Sequence, residues 1–180
     1  MKATGIVRRI DDLGRVVIPK EIRRTMRIRE GDPLEIYTDN DGEVIFKKYS
    51  PIGELSPCSA QYADVLCKNV GYPALICDRD HVVAAAGVSR KEYLERRVSS
   101  ALEELMEARR SYIAKQGASE SVYPVEGLDR RAVVVFPIIA SGDINGAVLL
   151  LENDTGAAPR DTEIKLTEIA ASFLGKQMEE

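Results

Sequence analysis

Histidine, phenylalanine and cysteine are scarce in this chain of 180 residues, which contains one, three and three of them, respectively. The single histidine, His81, lies in a predicted turn beside Asp80, where a solvated turn residue is a better interpretation than a metal ligand or a member of a histidine-based triad. The three phenylalanines and seven tyrosines are dispersed, so no aromatic platform for stacking single-stranded bases is predicted. A glycine-rich phosphate loop is also missing. We therefore expect a protein that is not an enzyme and has no metal or built-in cofactor.

The three cysteines are odd in number and follow no metal-ligand spacing: Cys58, Cys67 and Cys77. We predict reduced, buried thiols, because redox sensing would need exposure and a lowered pKa. The longest apolar runs are Val82–Val88 and Ala132–Ala140, well short of the roughly 20 residues that a membrane span requires. The N-terminus also lacks the apolar stretch of a secretory signal. These absences predict a cytoplasmic protein without membrane contact.

Positive charge is concentrated at the N-terminus of an otherwise acidic chain. Residues 1–29 hold nine basic and three acidic side chains, a net charge of +6, whereas the whole chain carries −4 and the remaining 151 residues therefore −10. Such a reversal predicts one face that binds a polyanion. The alternative is a solvated helix face with ion pairs such as Glu21 with Arg24. It is disfavoured because one acidic residue stands against five basic ones between Lys20 and Arg29.

Short β-type segments dominate the first fifty residues or so. Apolar alternation over Ile6–Ile10 and the β-branched run in Arg15–Ile18 predict two strands, and Pro19 suits the first position of a helix. Leu34–Tyr37 and Val44–Phe46 predict a hairpin around an Asp-Gly turn. A segment of this size without disulfide or metal cannot bury a stable core alone. We therefore predict that two copies combine as an obligate homodimer.

The composition changes near residue 50, where serine, proline and glycine predict a connector. We expect domains at residues 1–53 and 57–180, joined by a linker at residues 54–56. Beyond the connector the predicted order is helix, two strands, helix, about three strands and helix, with near-continuous apolar strands. A capping box at Ser89 and Glu92 predicts the start of one long helix. This order predicts an α+β sandwich with its helices gathered on one face of the sheet.

The N-terminal pattern resembles the AbrB-type transition-state regulators of spore-forming bacteria. The matching segments are Thr4–Arg8, Asp11–Pro19 without Asp12, Ile22–Arg24 and Leu34–Tyr37. The resemblance implies a swapped-hairpin β-barrel formed by two intertwined chains. The resemblance also implies that Arg8, Arg15, Arg23 and Arg24 contact DNA, with Arg9 and Lys2 as secondary phosphate contacts. Guanidinium groups suit these contacts because they bind phosphate or a guanine edge in bidentate fashion.

The residues from 57 onwards are similar to a GAF domain, an α+β fold. The resemblance rests on Ala74–Asp80 with the hairpin that follows it, and on Phe136–Leu149. It implies a possible small-molecule ligand, but no signature in the sequence identifies that ligand or its pocket. The first and last helices of this domain each carry an apolar stripe. We expect them to pair between subunits and to join two dimers into a homotetramer.

The two resemblances together imply a sequence-selective, double-stranded-DNA-binding transcription regulator, an activator and repressor that acts in sporulation and is associated with the nucleoid. One alternative is an antitoxin of a toxin–antitoxin pair, since antitoxins also use this barrel. Antitoxins generally add a short tail that becomes ordered on a toxin, whereas a folded C-terminal domain is predicted here. A second alternative is a metabolite-binding protein with incidental DNA affinity.

Overall fold

The computed structural model describes residues 4–115 and 121–179, and the chain divides into two compact units, Met1–Tyr49 and Ser50–Glu180. The first unit contains, in chain order, α1 (Lys20–Thr25), β1 (Leu34–Thr38) and β2 (Val44–Lys48). The second unit contains α2 (Pro51–Glu54), α3 (Ser56–Val70), β3 (Ala74–Cys77), β4 (Val82–Ala86), α4 (Arg90–Tyr93), α5 (Ser100–Glu107), β5 (Tyr112–Ile113), β6 (Ala132–Ala140), β7 (Asp143–Leu151) and α6 (Asp161–Gln177).

The hairpin predicted in the first unit is confirmed. β1 and β2 pair antiparallel, with Ile36 opposite Phe46, and Gly42 closes the turn with φ +80°, a value that favours glycine. The strands predicted over Ile6–Ile10 and Arg15–Ile18 are not formed. A strand needs a neighbour with which to exchange backbone hydrogen bonds, and the described part of this chain supplies none for these segments.

The first unit has almost no interior of its own. Among its described residues, Pro19 alone is buried. Large apolar side chains are exposed along the N-terminal segment and on the hairpin, namely Ile6, Val7, Ile10, Leu13, Val16, Val17, Met26, Ile36, Tyr37, Val44, Ile45, Phe46 and Tyr49. These exposed side chains agree with the prediction that a segment of this size cannot bury a stable core alone.

The second unit is built on a five-stranded antiparallel sheet with the order β4-β3-β7-β6-β5. Successive residues point to opposite faces, so Ile76 and Val148 pack under α3 and α6, whereas Leu75 and Leu149 pack with Leu102 of α5 on the other side. The expectation that all helices lie on one face is therefore wrong. The strands are near-continuously apolar because both of their faces are covered.

The single long helix predicted from Ser89 is also wrong, because it is split into α4 and α5. Glu95 lies between them with φ +61°, outside helical geometry. The Val98 amide donates to the carbonyl of Asp80 at 2.9 Å, so this segment pairs with the strand turn instead of continuing the helix. Ser99 then restarts the helix, since its hydroxyl accepts a hydrogen bond from the Leu102 amide at 3.2 Å.

The connector region is ordered and helical. Ser50 caps α2 by accepting from the Gly53 amide at 3.2 Å, and its hydroxyl donates to Asp78 Oδ2 at 2.9 Å. Ile52 is fully buried in the core of the second unit. The expected linker at residues 54–56 differs from this arrangement, because these residues join the end of α2 to the start of α3. Serine and proline act here as helix-start signals and not as breakers.

Candidate nucleic-acid interface

A tight turn at residues 11–15 holds the first of the arginines predicted to contact DNA. Gly14 has φ +76°, and its amide donates to the Asp11 carbonyl at 3.0 Å. Asp11 Oδ1 accepts hydrogen bonds from the amides of Leu13 and Arg15 at 3.0 and 2.8 Å. Aspartate favours turns because its side chain bonds to backbone amides that follow it. One carboxylate therefore organises the whole turn.

The same carboxylate orients the Arg15 side chain. Arg15 Nε donates to Asp11 Oδ2 at 2.8 Å. The hydrogen bond from the Arg15 backbone amide is the larger cause, and the one from the Arg15 side chain the next, of a pKa of Asp11 below its ordinary value of 3.8. The two Nη groups of Arg15 have no partner among the described residues, and the side chain is 69% exposed. The outer fork of the guanidinium is thus free for a phosphate or a guanine edge.

Helix α1 carries the next two predicted arginines. Pro19 precedes it with φ −56°, and the carbonyl of Pro19 accepts from the Arg23 amide at 2.9 Å. Arg23 and Arg24 lie in the last turn, where cations interact favourably with the helix dipole. Both are exposed. The ion pair between Glu21 and Arg24, which the alternative interpretation required, is not formed in the described structure.

Arg8 and Arg9 lie on the extended segment before the turn, and both are exposed. Neither has a hydrogen-bonded or ionic side-chain partner in the part of the chain that the structure describes. Lys2, the other secondary contact predicted from sequence, lies outside the described residues. The five arginines predicted to contact DNA therefore belong to one small unit, and their terminal donors have no partner among the described residues.

The cysteines and the histidine form no second site. Burial raises the pKa of the Cys77 thiol to about 12 and also raises the pKa of Cys67. Cys77 is buried as predicted, whereas Cys58 and Cys67 are partly exposed. The His81 amide donates to Asp78 Oδ1 at 2.7 Å, which places His81 in the predicted turn. Within residues 4–115 and 121–179, no group of three potential metal ligands occurs.

A polar cleft of about 350 Å³ lies at the end of the sheet where β3 begins and β7 ends. Arg130 and Asp154 form an ion pair of 2.7 Å in its lining.

None of the described helices has the length and apolar character needed to cross a membrane.

Comparison with known proteins identifies the family. Residues 54–179 match the family described as "Stage V sporulation protein T C-terminal, transcription factor". The chain is 53% identical, over the full length of both sequences, to stage V sporulation protein T of Bacillus subtilis (strain 168). The chain belongs to the stage V sporulation protein T family. Residues 7–53 of this family member also match the family described as "Antidote-toxin recognition MazE, bacterial antitoxin".

Each unit has relatives of its own. A stretch of 51 residues, 28% of this chain and 52% of the relative, is 65% identical to transition state regulatory protein AbrB of Bacillus subtilis (strain 168). The second unit superimposes on the GAF domain of an Acinetobacter phosphoenolpyruvate-protein phosphotransferase with a TM-score of 0.55. That match has 8% identity and covers 73% of this chain and 84% of that chain. The predicted AbrB-type and GAF-type units are therefore confirmed.

Proposed function

We propose that this protein is a cytoplasmic, nucleoid-associated transcription regulator of sporulation that binds double-stranded DNA through paired first units and is not an enzyme. The observation that carries the proposal is a set of exposed arginines in a unit 65% identical to AbrB over 51 residues; among the described residues Arg8, Arg9, Arg23 and Arg24 have no acidic partner, and Arg15 pairs with Asp11 only through Nε. The free guanidinium donors of Arg8, Arg9, Arg23 and Arg24 and the outer fork of Arg15 suit the phosphates and base edges of a duplex.

Pairing of two first units is supported by their missing interior. The hairpin has one face formed by Ile36, Val44 and Phe46, which are all exposed in the single chain. The extended segments around Ile6–Ile10 and Arg15–Ile18 carry backbone groups that pair with no strand in the part of the chain that the structure describes. A second copy covers the apolar face and supplies the missing strand neighbours, as expected of a domain too small to fold alone.

Pairing also doubles the arginine set, so that it spans successive phosphates of one duplex. Arg8, Arg15, Arg23 and Arg24 act as primary contacts, with Arg9 and Lys2 as secondary phosphate contacts. If about eight phosphates are neutralised, the logarithm of affinity falls with the logarithm of salt concentration with a slope of about −7.

The first test compares Arg23→Ala and Arg24→Ala with Arg110→Ala, which alters an arginine of the second unit that is also exposed. The probe is the tightest duplex that the wild-type protein selects from a randomised pool, in fluorescence anisotropy. We expect each α1 variant to lose about tenfold in affinity, because a guanidinium contact is removed, and Arg110→Ala to bind like wild type. Circular dichroism and native mass establish that folding and assembly are unchanged. Wild-type affinity in both α1 variants contradicts the proposed contacts.

The second unit contributes a further assembly surface on the outer side of α3 and α6. Val65 and Ile169 are exposed there, and the rings of Tyr62 and Phe173 stack with centroids 5.4 Å apart. Apolar surface of this kind on two neighbouring helices supports pairing between subunits, which joins two dimers into a tetramer. Two linked DNA-binding units then gain avidity through their effective concentration.

The antitoxin alternative is disfavoured by the second unit. An antitoxin tail becomes ordered on its toxin, whereas residues 50–180 contain a sheet buried on both faces. Metabolite binding with incidental DNA affinity predicts weak binding that shows no preference among duplexes. The selection experiment therefore also distinguishes that alternative.

A further inference from the structure

We propose that Asp11 is a positioning residue for DNA recognition, which acts by holding the Arg15 guanidinium in the orientation that contacts the duplex. This inference rests on the proposed function, because Arg15 must contact DNA for its orientation to matter. An acidic residue in a basic, DNA-binding unit is counted from sequence only as lost attraction. The structure gives this one a specific task.

The two carboxylate oxygens of Asp11 do different things. Oδ1 accepts the amides of Leu13 and Arg15 and so closes the turn, while Oδ2 accepts Arg15 Nε at 2.8 Å. A second backbone bond, from the Asp11 amide to the Arg15 carbonyl at 3.0 Å, fixes both residues. Arg15 is therefore held at three points: its backbone amide, its backbone carbonyl and its side-chain Nε.

This anchoring leaves the useful part of Arg15 available. Nε is the inner donor of the guanidinium, and the outer Nη pair forms the fork that recognises a phosphate or guanine O6 and N7. An arginine that is oriented before binding loses less side-chain entropy when it binds than a free one does. Arg8, Arg9, Arg23 and Arg24 have no such anchor in the described residues, so Arg15 is the pre-oriented member of the set.

Asp12 provides a matched control on the same turn. It is exposed, like Asp11, and its side chain has no hydrogen-bonded or ionic partner among the described residues. Both Asp11→Asn and Asp12→Asn add one unit of positive charge to the unit. If charge alone decides binding, both variants bind DNA slightly more tightly. If Asp11 positions Arg15, the two variants change affinity in opposite directions.

The experiment measures binding of full-length wild type, Asp11→Asn, Asp12→Asn, Arg15→Ala and the double variant of Asp11 and Arg15. The probes are the selected duplex described above and poly(dI–dC). The single oxygen of asparagine can still accept the Leu13 and Arg15 amides, but its Nδ2 group then faces Nε, donor against donor. We expect Asp11→Asn to lose about tenfold on the selected duplex, with little change on poly(dI–dC). Asp12→Asn should equal or slightly exceed wild type on both probes.

The double variant separates positioning from a structural role. When Arg15 is already alanine, Asp11→Asn should cause no further loss, because the group that it positions is gone. An equal loss in both backgrounds means that Asp11 only supports the fold of the turn, and equal behaviour of Asp11→Asn and Asp12→Asn means that charge decides; either result overturns the inference. Failure of wild type to bind either duplex in a salt-sensitive way contradicts the proposed function itself.

Discussion

The two units of this chain solve the problem of stability in opposite ways. The second unit buries both faces of its sheet under its own helices. In the first unit, Pro19 is the one described residue that is buried, and its apolar side chains face outward. A unit with its own core folds independently of concentration, whereas one that borrows its core from a second copy has a stability linked to subunit concentration. If the proposed pairing holds, the stability of the first unit, and with it the arrangement of its arginines, depends on subunit concentration.

The largest change in stability is expected at Phe46, which we compare with Tyr123, an aromatic side chain of similar exposure in the single chain. Phe46 of the first unit is 44% exposed and Tyr123 of the second unit is 46% exposed. We expect Phe46→Ala to destabilise the first unit by about 3–5 kcal/mol, the cost of truncating a buried phenylalanine, if the proposed second copy covers this side chain. Tyr123→Ala should change stability by less than about 1 kcal/mol. Urea unfolding at several protein concentrations measures both, and equal small effects would show that Phe46 is not covered.

A smaller effect is expected on the outer face of α6, because the second unit keeps its fold when that face is altered. Ile169→Glu places a charge on the proposed pairing surface and should convert the tetramer to a dimer, since burying an unpaired carboxylate is costly. The control is Ile113→Glu on β5, at the edge of the sheet, where the isoleucine is also exposed. Native mass spectrometry and sedimentation report the assembly. A tetramer that survives Ile169→Glu would assign the assembly surface elsewhere.

The smallest effect concerns acid sensitivity within the self-sufficient unit. Hydrogen bonds from the Arg160 side chain lower the pKa of Glu163 below its ordinary 4.5, with Nη2 to Oε1 at 2.7 Å. The resulting stabilisation is present above pH 4.5 and is lost as the pH falls through the lowered pKa. Glu163→Gln should therefore be less stable than wild type at pH 7, with the difference shrinking towards pH 3.

The control for this experiment is Glu168→Gln, which removes an exposed ion pair with Lys165 on the same helix. Exposed pairs of this kind contribute little, so this variant should follow wild type at both pH values. Urea unfolding monitored by circular dichroism provides the measurement. A gap between Glu163→Gln and wild type that does not narrow in acid would assign the effect to packing.

Local signals in the sequence were sufficient where one element is capped or bounded by its own residues. Gly71 ends α3 with φ +70°, and the two strands expected after the first helix of the second unit are formed as β3 and β4. The sequence was misleading where tertiary pairing overrides a local pattern. Arg97 bridges to His81 of the neighbouring turn, and this pairing interrupts the helical periodicity after Ser89. No property of the intervening residues alone reveals it.

The predicted DNA-contacting arginines came from their match to a family pattern, and their exposure agrees with that role. From the sequence alone, Asp11 was only one of three negative charges in residues 1–29, so its contact with Arg15 was missed. The spacing of Asp11 and Arg15, with Gly14 between them, was the available signal, since a carboxylate can reach the backbone and side chain four residues on across a tight turn. Only the structure shows that Asp11, and not the adjacent Asp12, makes these bonds.

Tyr49 and Ser50 are adjacent residues at the boundary of the two units, and each is hydrogen-bonded within its own unit. The Tyr49 amide donates to the Pro33 carbonyl at 3.1 Å, whereas the Ser50 hydroxyl is bonded to Asp78. The change from one unit to the other therefore falls at a single peptide bond. A fragment that begins at Ser50 therefore keeps both the N-cap of α2 and the hydrogen bond to Asp78.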